Sequence, residues 1–197
     1  TSAALSFFLR NLQKPVVLTY SQRSIDRASS DANLNLQCAV LMAISDFPEV
    51  MIVGHATNSD DFCYAMPGTK VRKMHTSRRD AFRPVNTTAI ARVNYDSKSI
   101  TILRKDYRRK DKNRKLILKP KMEEKVGLLK ININMFPEQF SFFNGYKGLV
   151  IEGTGLGHTP GQVPNELAAI HKKIYPAIKS FIDSGCVVVM TSQCLYG

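Results

Sequence analysis

The chain has 197 residues, 44% of them hydrophobic, and 28 Lys and Arg stand against 16 Asp and Glu, a formal net charge of +12. That length suits one large domain or one and a half, with enough apolar residues for a core. No run of about 18 apolar residues exists to span a membrane, no charged start followed by an apolar core reads as a signal peptide, and the four cysteines form no C-x-x-C pair, which leaves buried free thiols in a reducing cytosol ahead of zinc or disulfide frameworks.

Residues 1–11 read as an amphipathic helix, with Ala4, Leu5, Phe8, Leu9 and Leu12 at helical spacing. Pro15 precedes a short buried strand at 16–18, and a polar loop over 21–29 leaves its carboxyl end. Ser30 or Asp31 caps a helix running to about Ser45, with Leu34, Cys38, Leu41 and Met42 inward. Val50-Met51-Ile52-Val53 is a second buried strand, ending at Gly54-His55. Strand, helix, strand with nearly continuous apolar strands is the pattern of a parallel sheet covered on both faces. Ligands of such sheets bind beyond the carboxyl ends, where Ser21, Gln22, Arg23 and Lys73 would gather.

Residues 62–65 and 69–73 read as a short hairpin, and 89–95 and 99–103 as two strands joined at Asp96-Ser97-Lys98. Between Arg104 and Lys125 there are eleven Lys or Arg and four Asp or Glu, a net of +7. Such a run suits nucleic-acid phosphates. It suits a solvated hairpin equally, because only Tyr107 could stack on a base. A second α/β unit follows: strand 126–131, helix 137–143, strand 148–152, helix from about Asn165 to Ser184, strand 186–190. No internal repeat stands out.

The stretch from Gly68 to Phe82 is the candidate for chemistry. It passes one lysine, Lys73, at the edge of a strand, then breaks into a loop of hydroxyls and guanidinium groups before Phe82. A lysine so placed can be partly desolvated and put to use; on charge pattern alone the stretch is a solvated basic loop. Gly153-x-Gly155-x-Gly157 lacks dinucleotide-fingerprint spacing, and Pro160 and Pro164 intervene before the next helix, so it reads as a sharp turn. His55, His75, His158 and His171 have no metal-ligand spacing, and Cys194 has no nucleophile signature.

Several motifs together resemble the asparaginase-like amidohydrolases. Lys73-Met74-His75-Thr76-Ser77-Arg78-Arg79-Asp80-Ala81-Phe82, preceded by Gly68-Thr69-Lys70-Val71-Arg72, is similar to that family's lysine-bearing loop. Pro15 to Leu18, Ser21 to Ser24, Ser29 to Asp31, Asn35-Leu36, Gly145 to His158 and Val187 to Gln193 follow in the family's order. Only the basic middle, about Ser97 to Lys125, has no counterpart. The loop and Ile151-Glu152-Gly153-Thr154-Gly155-Leu156-Gly157-His158 resemble the tRNA-dependent amidotransferase branch more than free asparaginases.

The resemblance implies an α/β fold of two three-layer units with mainly parallel sheets, the first lacking its N-terminal strands and the second truncated. It puts the larger domain at 1–115, a basic linker at 116–125 and the smaller domain at 126–197. Lys73 matches the family's catalytic lysine, which polarises a threonine. Ser21 falls where relatives present backbone to the substrate amide, and His158 where they carry a substrate-side polar residue. Asp31 and Asn35 fix loop and helix rather than touch substrate.

The resemblance further implies glutamine as substrate, a second copy completing the site in an intimate homodimer, and a partner protein, the E component of the amidotransferase. That partner uses ATP and Mg to activate glutamyl-tRNA(Gln) in the cytoplasm, while this chain binds no cofactor, no metal and no membrane. Neither the Thr-Gly-Gly-Thr turn nor the His-Gly-Thr-Asp-Thr turn of the family occurs in the sequence. The expectation is therefore a fragment inactive alone. A free-standing L-asparaginase and a non-catalytic tRNA-binding scaffold are the alternatives.

Overall fold

Val50 to Val53 is apolar on four consecutive residues, so it can be a strand only where both faces are covered. The computed structural model, which describes residues Thr1–Gly197, places it so. The chain forms two compact units, Thr1–Lys121 and Met122–Gly197.

In chain order the first unit holds α1 (Ser2–Phe8), β1 (Leu9–Arg10), β2 (Val16–Leu18), α2 (Ala32–Ala43), β3 (Val50–His55), β4 (Cys63–Pro67), β5 (Val71–Lys73), β6 (Phe82–Pro84), β7 (Ala91–Asn94), β8 (Ser99–Ile102) and β9 (Ile117–Leu118). Its main sheet has the order β2-β3-β4-β7-β8. The expected parallel pairing holds for β2 and β3; the pairings outward from β3 are antiparallel hairpin-type ladders. Asn35, Cys38, Ala39 and Met42 form the buried stripe of α2, at the three- and four-residue spacing that puts side chains on one helix face. The apolar members of that stripe pack on Met51, Val53, Cys63, Ala65, Ala91 and Val93 from one face of the sheet.

Three expectations for the first unit are corrected. The first helix stops at Phe8, because Leu9 and Arg10 turn extended and pair with Leu118 and Ile117. Residues 117 and 118, expected in the linker, therefore belong to the first unit. The expected hairpin of 62–65 with 69–73 does not form: β4 pairs with β3 and β7, while β5 pairs with β6 in a separate two-stranded sheet.

The second unit holds β10 (Val126–Lys130), α3 (Glu138–Ser141), β11 (Gly148–Gly153), a 3-10 helix (Glu166–Lys173), α4 (Ile174–Asp183) and β12 (Val187–Ser192). Its sheet, β10-β11-β12, is parallel throughout. Leu149 and Ile151 of the central strand are fully buried among Leu129, Phe140, Phe143, Ile174 and Phe181. The single helix expected over 165–184 is split, and Pro176 explains the break. Proline is accepted in the first turn of α4, but its ring would clash with the carbonyl four residues back in a continuous α-helix. The Gln193 side chain donates to Ile131 O at 2.6 Å and Glu152 O at 2.9 Å, tying together the chain leaving β10 and the end of β11.

The Gly-x-Gly-x-Gly segment is the tight turn expected of it. His158 N–H donates to Thr154 O at 2.8 Å, and Thr154 N–H donates to His158 O at 3.0 Å. A Cβ on Gly153 would stand 2.4 Å from the carbonyl carbon of Gly157, which is backbone and cannot swing away. Gly153→Ala should therefore destabilise the second unit by about 2 kcal/mol, the usual cost of forcing atoms into a packed place. Urea unfolding followed by the tyrosine signal of this unit checks it; an unchanged midpoint would contradict the account.

Candidate active site

The site is built from the chain leaving β2. Tyr20 follows that strand, and its ring lies against Gly54 of β3, where a Cβ would sit 2.3 Å from ring carbon. Gly54 thus leaves room for an aromatic ring on the sheet. Tyr20 also packs on Phe82 at 4.3 Å between centroids, and its hydroxyl donates to Arg79 O at 3.3 Å. Phe82 is the register partner of Lys73 in the β5–β6 pair. One aromatic contact therefore draws the 20–30 loop, which carries Ser21, toward the hairpin that carries Lys73. Burial pushes the Tyr20 phenol up, with the nearby Cys63, Asp31 and Asp80 adding to it.

Beneath this contact runs a chain of polar side chains. Asp31 has no exposed surface. Its carboxylate accepts from Gln22 N–H at 2.9 and 3.0 Å, from Arg23 N–H at 3.0 Å and from Asn35 Nδ2 at 3.0 Å. It fixes the loop rather than capping α2. Asn35, equally buried, also donates from Nδ2 to Tyr20 O at 2.9 Å, which fixes the orientation of its amide. Asn35 Oδ1 then accepts from His55 N–H at 2.8 Å and from His55 Nδ1 at 2.6 Å. The other ring nitrogen of His55 faces Asp60 Oδ1 at 2.9 Å, and Arg79 Nη1 donates to both oxygens of Asp60 at 2.8 and 3.0 Å. Both ring nitrogens of His55 face side-chain oxygens, Asn35 Oδ1 on one side and Asp60 Oδ1 on the other.

The loop between β5 and β6 is held at three points. Met74 N–H donates to Ala81 O at 2.7 Å, closing it. His75 Nδ1 accepts from Ser77 and Arg78 N–H at 3.1 Å each. Asp80, 3% exposed, takes a bidentate pair from Arg78 at 2.8 and 3.0 Å and a further hydrogen bond from Arg83. Burial raises the Asp80 carboxyl, but the Arg78 hydrogen bonds and the charges of Arg83 and Arg78 outweigh it and hold it below its ordinary value. The His55 hydrogen bond, with Arg79, holds Asp60 low as well.

Lys73 ends β5 and is exposed, so the residues of this chain do not desolvate its ammonium as its place at a strand edge led us to expect. Ser21 is exposed at the loop start; its hydroxyl donates to Arg23 O and lies 3.4 Å from Asp31 Oδ1. Gln22 Oε1 beside it is buried without a hydrogen-bond partner. His158 belongs to the second unit and is exposed at the end of the glycine turn. Sequence reading named Asp31 and Asn35 as loop-fixing residues, which their bonds show. It missed Tyr20, His55, Asp60, Arg79 and Asp80 as parts of one network. No periodic signal marks them; the Tyr20-Ser21 adjacency and the acidic Ser59-Asp60-Asp61 run were the available hints. Of the cysteines, Cys38, Cys63 and Cys186 are buried free thiols, while Cys194 is exposed.

Two family models match the chain: "Asparaginase, N-terminal" over residues 1–108 and "Glutaminase/Asparaginase C-terminal domain" over residues 125–197. Among curated relatives, the proteins named as the D component of glutamyl-tRNA(Gln) amidotransferase from Pyrococcus furiosus and Thermococcus kodakarensis are each 54% identical over the whole chain. The protein of that name from Methanosarcina barkeri is 45% identical. The chain spans 42 to 44% of the length of these relatives. Among solved structures, the thermostable L-asparaginase from Thermococcus kodakarensis superposes with a TM-score of 0.83 at 29% identity, covering all of this chain and 54% of that one. L-asparaginase I from Vibrio cholerae, at 0.76, 22% identity and 98% and 54% coverage, shares the fold.

Two outcomes are expected from the polar network. Asp31→Ala leaves three donors without their acceptor in a buried place and should cost about 2–4 kcal/mol of stability, read from the urea midpoint. Asp60 and Asp80 have folded values below the ordinary carboxylate value of 3.8. Their contribution is thus fully present above about pH 4 and is lost as pH falls through the depressed values. The unfolding temperature should hold from neutrality to about pH 5 and fall below about pH 4. An Asp60→Asn/Asp80→Asn double variant should show a flatter fall.

Proposed function

We propose, from a chain that belongs to the asparaginase family, that it forms part of the glutaminase component of an amidotransferase converting glutamyl-tRNA(Gln) to glutaminyl-tRNA(Gln) in the cytoplasm. One observation carries the reading. Against the proteins of a single organism, Thermococcus kodakarensis, the chain is 54% identical to the amidotransferase component and 29% identical to the L-asparaginase.

In this reading glutamine is cleaved by a hydroxyl nucleophile, a threonine supplied outside these residues. Such a step needs a base for the hydroxyl proton and donors for the tetrahedral oxyanion. Lys73 polarises a second threonine, and the threonine-bearing turns that the family resemblance implies would cover and desolvate its ammonium. A lysine suits this because removal from water readily lowers its proton affinity. Backbone at Ser21 faces the substrate amide, held by the Asp31 carboxylate behind it. His158 serves the site of a second copy. Ammonia passes to the partner, the E component, which uses ATP and Mg to activate the glutamyl group; neither is assigned to a residue of this chain. The likeness to L-asparaginase at a TM-score of 0.83 favours one other reading, a free-standing asparaginase.

Ammonia release from glutamine and from asparagine by the intact polypeptide, with and without glutamyl-tRNA(Gln) and the partner protein, separates the two. The amidotransferase reading expects glutamine to be preferred and turnover to rise with the tRNA. Lys73→Ala should lower kcat by about 10²–10⁴-fold, the usual contribution of a positioned proton-transfer group, with the unfolding temperature unchanged. Full turnover in that variant would remove Lys73 from the mechanism. Asparagine preference independent of tRNA would favour the second reading.

A further inference from the structure

A cavity of about 540 Å³ in the first unit shares no lining residue with the candidate active site. Arg10, Arg108, Arg109 and Arg114 line it against one carboxylate, Asp111. All four arginines are exposed, yet the frame that carries them is fixed. Arg10 and Leu9 pair with Ile117 and Leu118. Asn11 Nδ2 donates to Lys115 O at 3.2 Å, and Gln13 Nε2 to Arg114 O at 3.3 Å. On the other side Tyr107 packs on Phe47 at 4.6 Å, and Arg108 N–H donates to Glu49 Oε1 at 2.7 Å.

The acidic neighbours offset only part of the charge. Arg114 Nε lies 3.1 Å from Asp111 and Arg108 Nε 3.8 Å from Glu49. Arg109 stacks on the Tyr107 ring at 3.9 Å and its Nη1 donates to the Tyr107 hydroxyl, so only the rest of its guanidinium edge stays open. Neither Arg109 nor Arg10 is held by a carboxylate. The two family models stop at 108 and resume at 125, so Arg109 and Arg114 lie in a segment outside both. The 54% match to the amidotransferase component of Pyrococcus furiosus nonetheless runs through it.

We propose that this cavity is a phosphate-binding site and that the phosphates belong to an RNA backbone. Guanidinium forks match phosphate oxygens in geometry and keep their charge at any physiological pH. Four of them on a pinned frame spare the ordering cost that a loose basic tail would meet on binding. The phosphate chemistry stands on the cavity alone; the RNA source rests on the tRNA-dependent reading above.

The test measures anisotropy of a fluorescein-labelled tRNA(Gln) transcript with the intact polypeptide, between about 50 and 200 mM salt. The Arg10→Ala/Arg109→Ala variant is expected to bind about tenfold more weakly, with the slope of log affinity against log salt shallower by about 1.5, two phosphate contacts at roughly 0.7–0.9 each. Lys172→Ala/Lys173→Ala removes the same charge at residues that do not line the cavity and should change neither by more than about twofold. Inorganic pyrophosphate, followed by phosphorus NMR linewidth, is the second probe. RNA binding unchanged while pyrophosphate broadening is lost would keep the site and assign it to a free phosphate ligand. Neither probe distinguishing the variant from the lysine control overturns the proposal. If the alanine pair lowers the unfolding temperature, Arg109→Gln carries the same test with half the slope change. Ammonia release is assayed in parallel, so that loss of the phosphate site and failure of the glutaminase reading are seen separately.

Discussion

A carboxylate with no exposed surface must find its hydrogen bonds inside the protein, and Asp31 finds them in the backbone of the loop that precedes it. That single constraint organises the first unit. It holds the loop after β2 against the start of α2, and through Asn35 it reaches His55 at the end of β3. From there Asp60 and Arg79 carry the connection to the loop after Lys73. Each member has at least one charged or oriented partner, so the network tolerates a low-dielectric setting that would penalise any of them alone. The consequence for function is positional. The Ser21 and Lys73 loops are attached to one scaffold rather than left to find each other.

The large elements were legible because their physics is local. Consecutive apolar residues at 50–53 and 148–151 announced strands covered on both faces, and the spacing of Leu34, Cys38, Leu41 and Met42 announced a helix face, of which Cys38 and Met42 are the fully buried members. What stayed hidden depended on partners far along the chain. Nothing in Phe82-Arg83-Pro84 reads as a strand, since a proline and an arginine mask the pattern, yet it pairs with Val71 to Lys73. Leu9 and Arg10 continue a helical spacing and still leave the helix, because Ile117 and Leu118 offer them a ladder. The polar network was half visible: Asp31 and Asn35 could be read as structural, but their link to His55 and Asp60 needs the fold.

The family resemblance pointed to Lys73, and the residues around it explain how it is presented rather than how it reacts. Tyr20 stacks on the strand partner of that lysine, and Asp80 anchors the loop that follows it. The same economy appears in the second unit, where a glycine that admits no Cβ turns the chain sharply after β11, and Gln193 joins carbonyls at the strand ends.

The direction of the strands also sets an order in time. In the first unit β3 meets β4, and β7 meets β8, across short reversals such as Tyr95 to Lys98, which are quick to close. Every pairing in the second sheet is parallel, so Lys130 must be carried back to Gly148 and Gly153 to Val187 before a ladder can begin. Loop closure of that kind is spent before any contact rewards it, and such topologies fold slowly. A ribosome releases residues 1–121 first. The fast-closing half therefore emerges ahead of the slow one, and β10, made before the β11 strand it pairs with, waits unpaired with its exposed Val126 and Leu128 open to association with other chains.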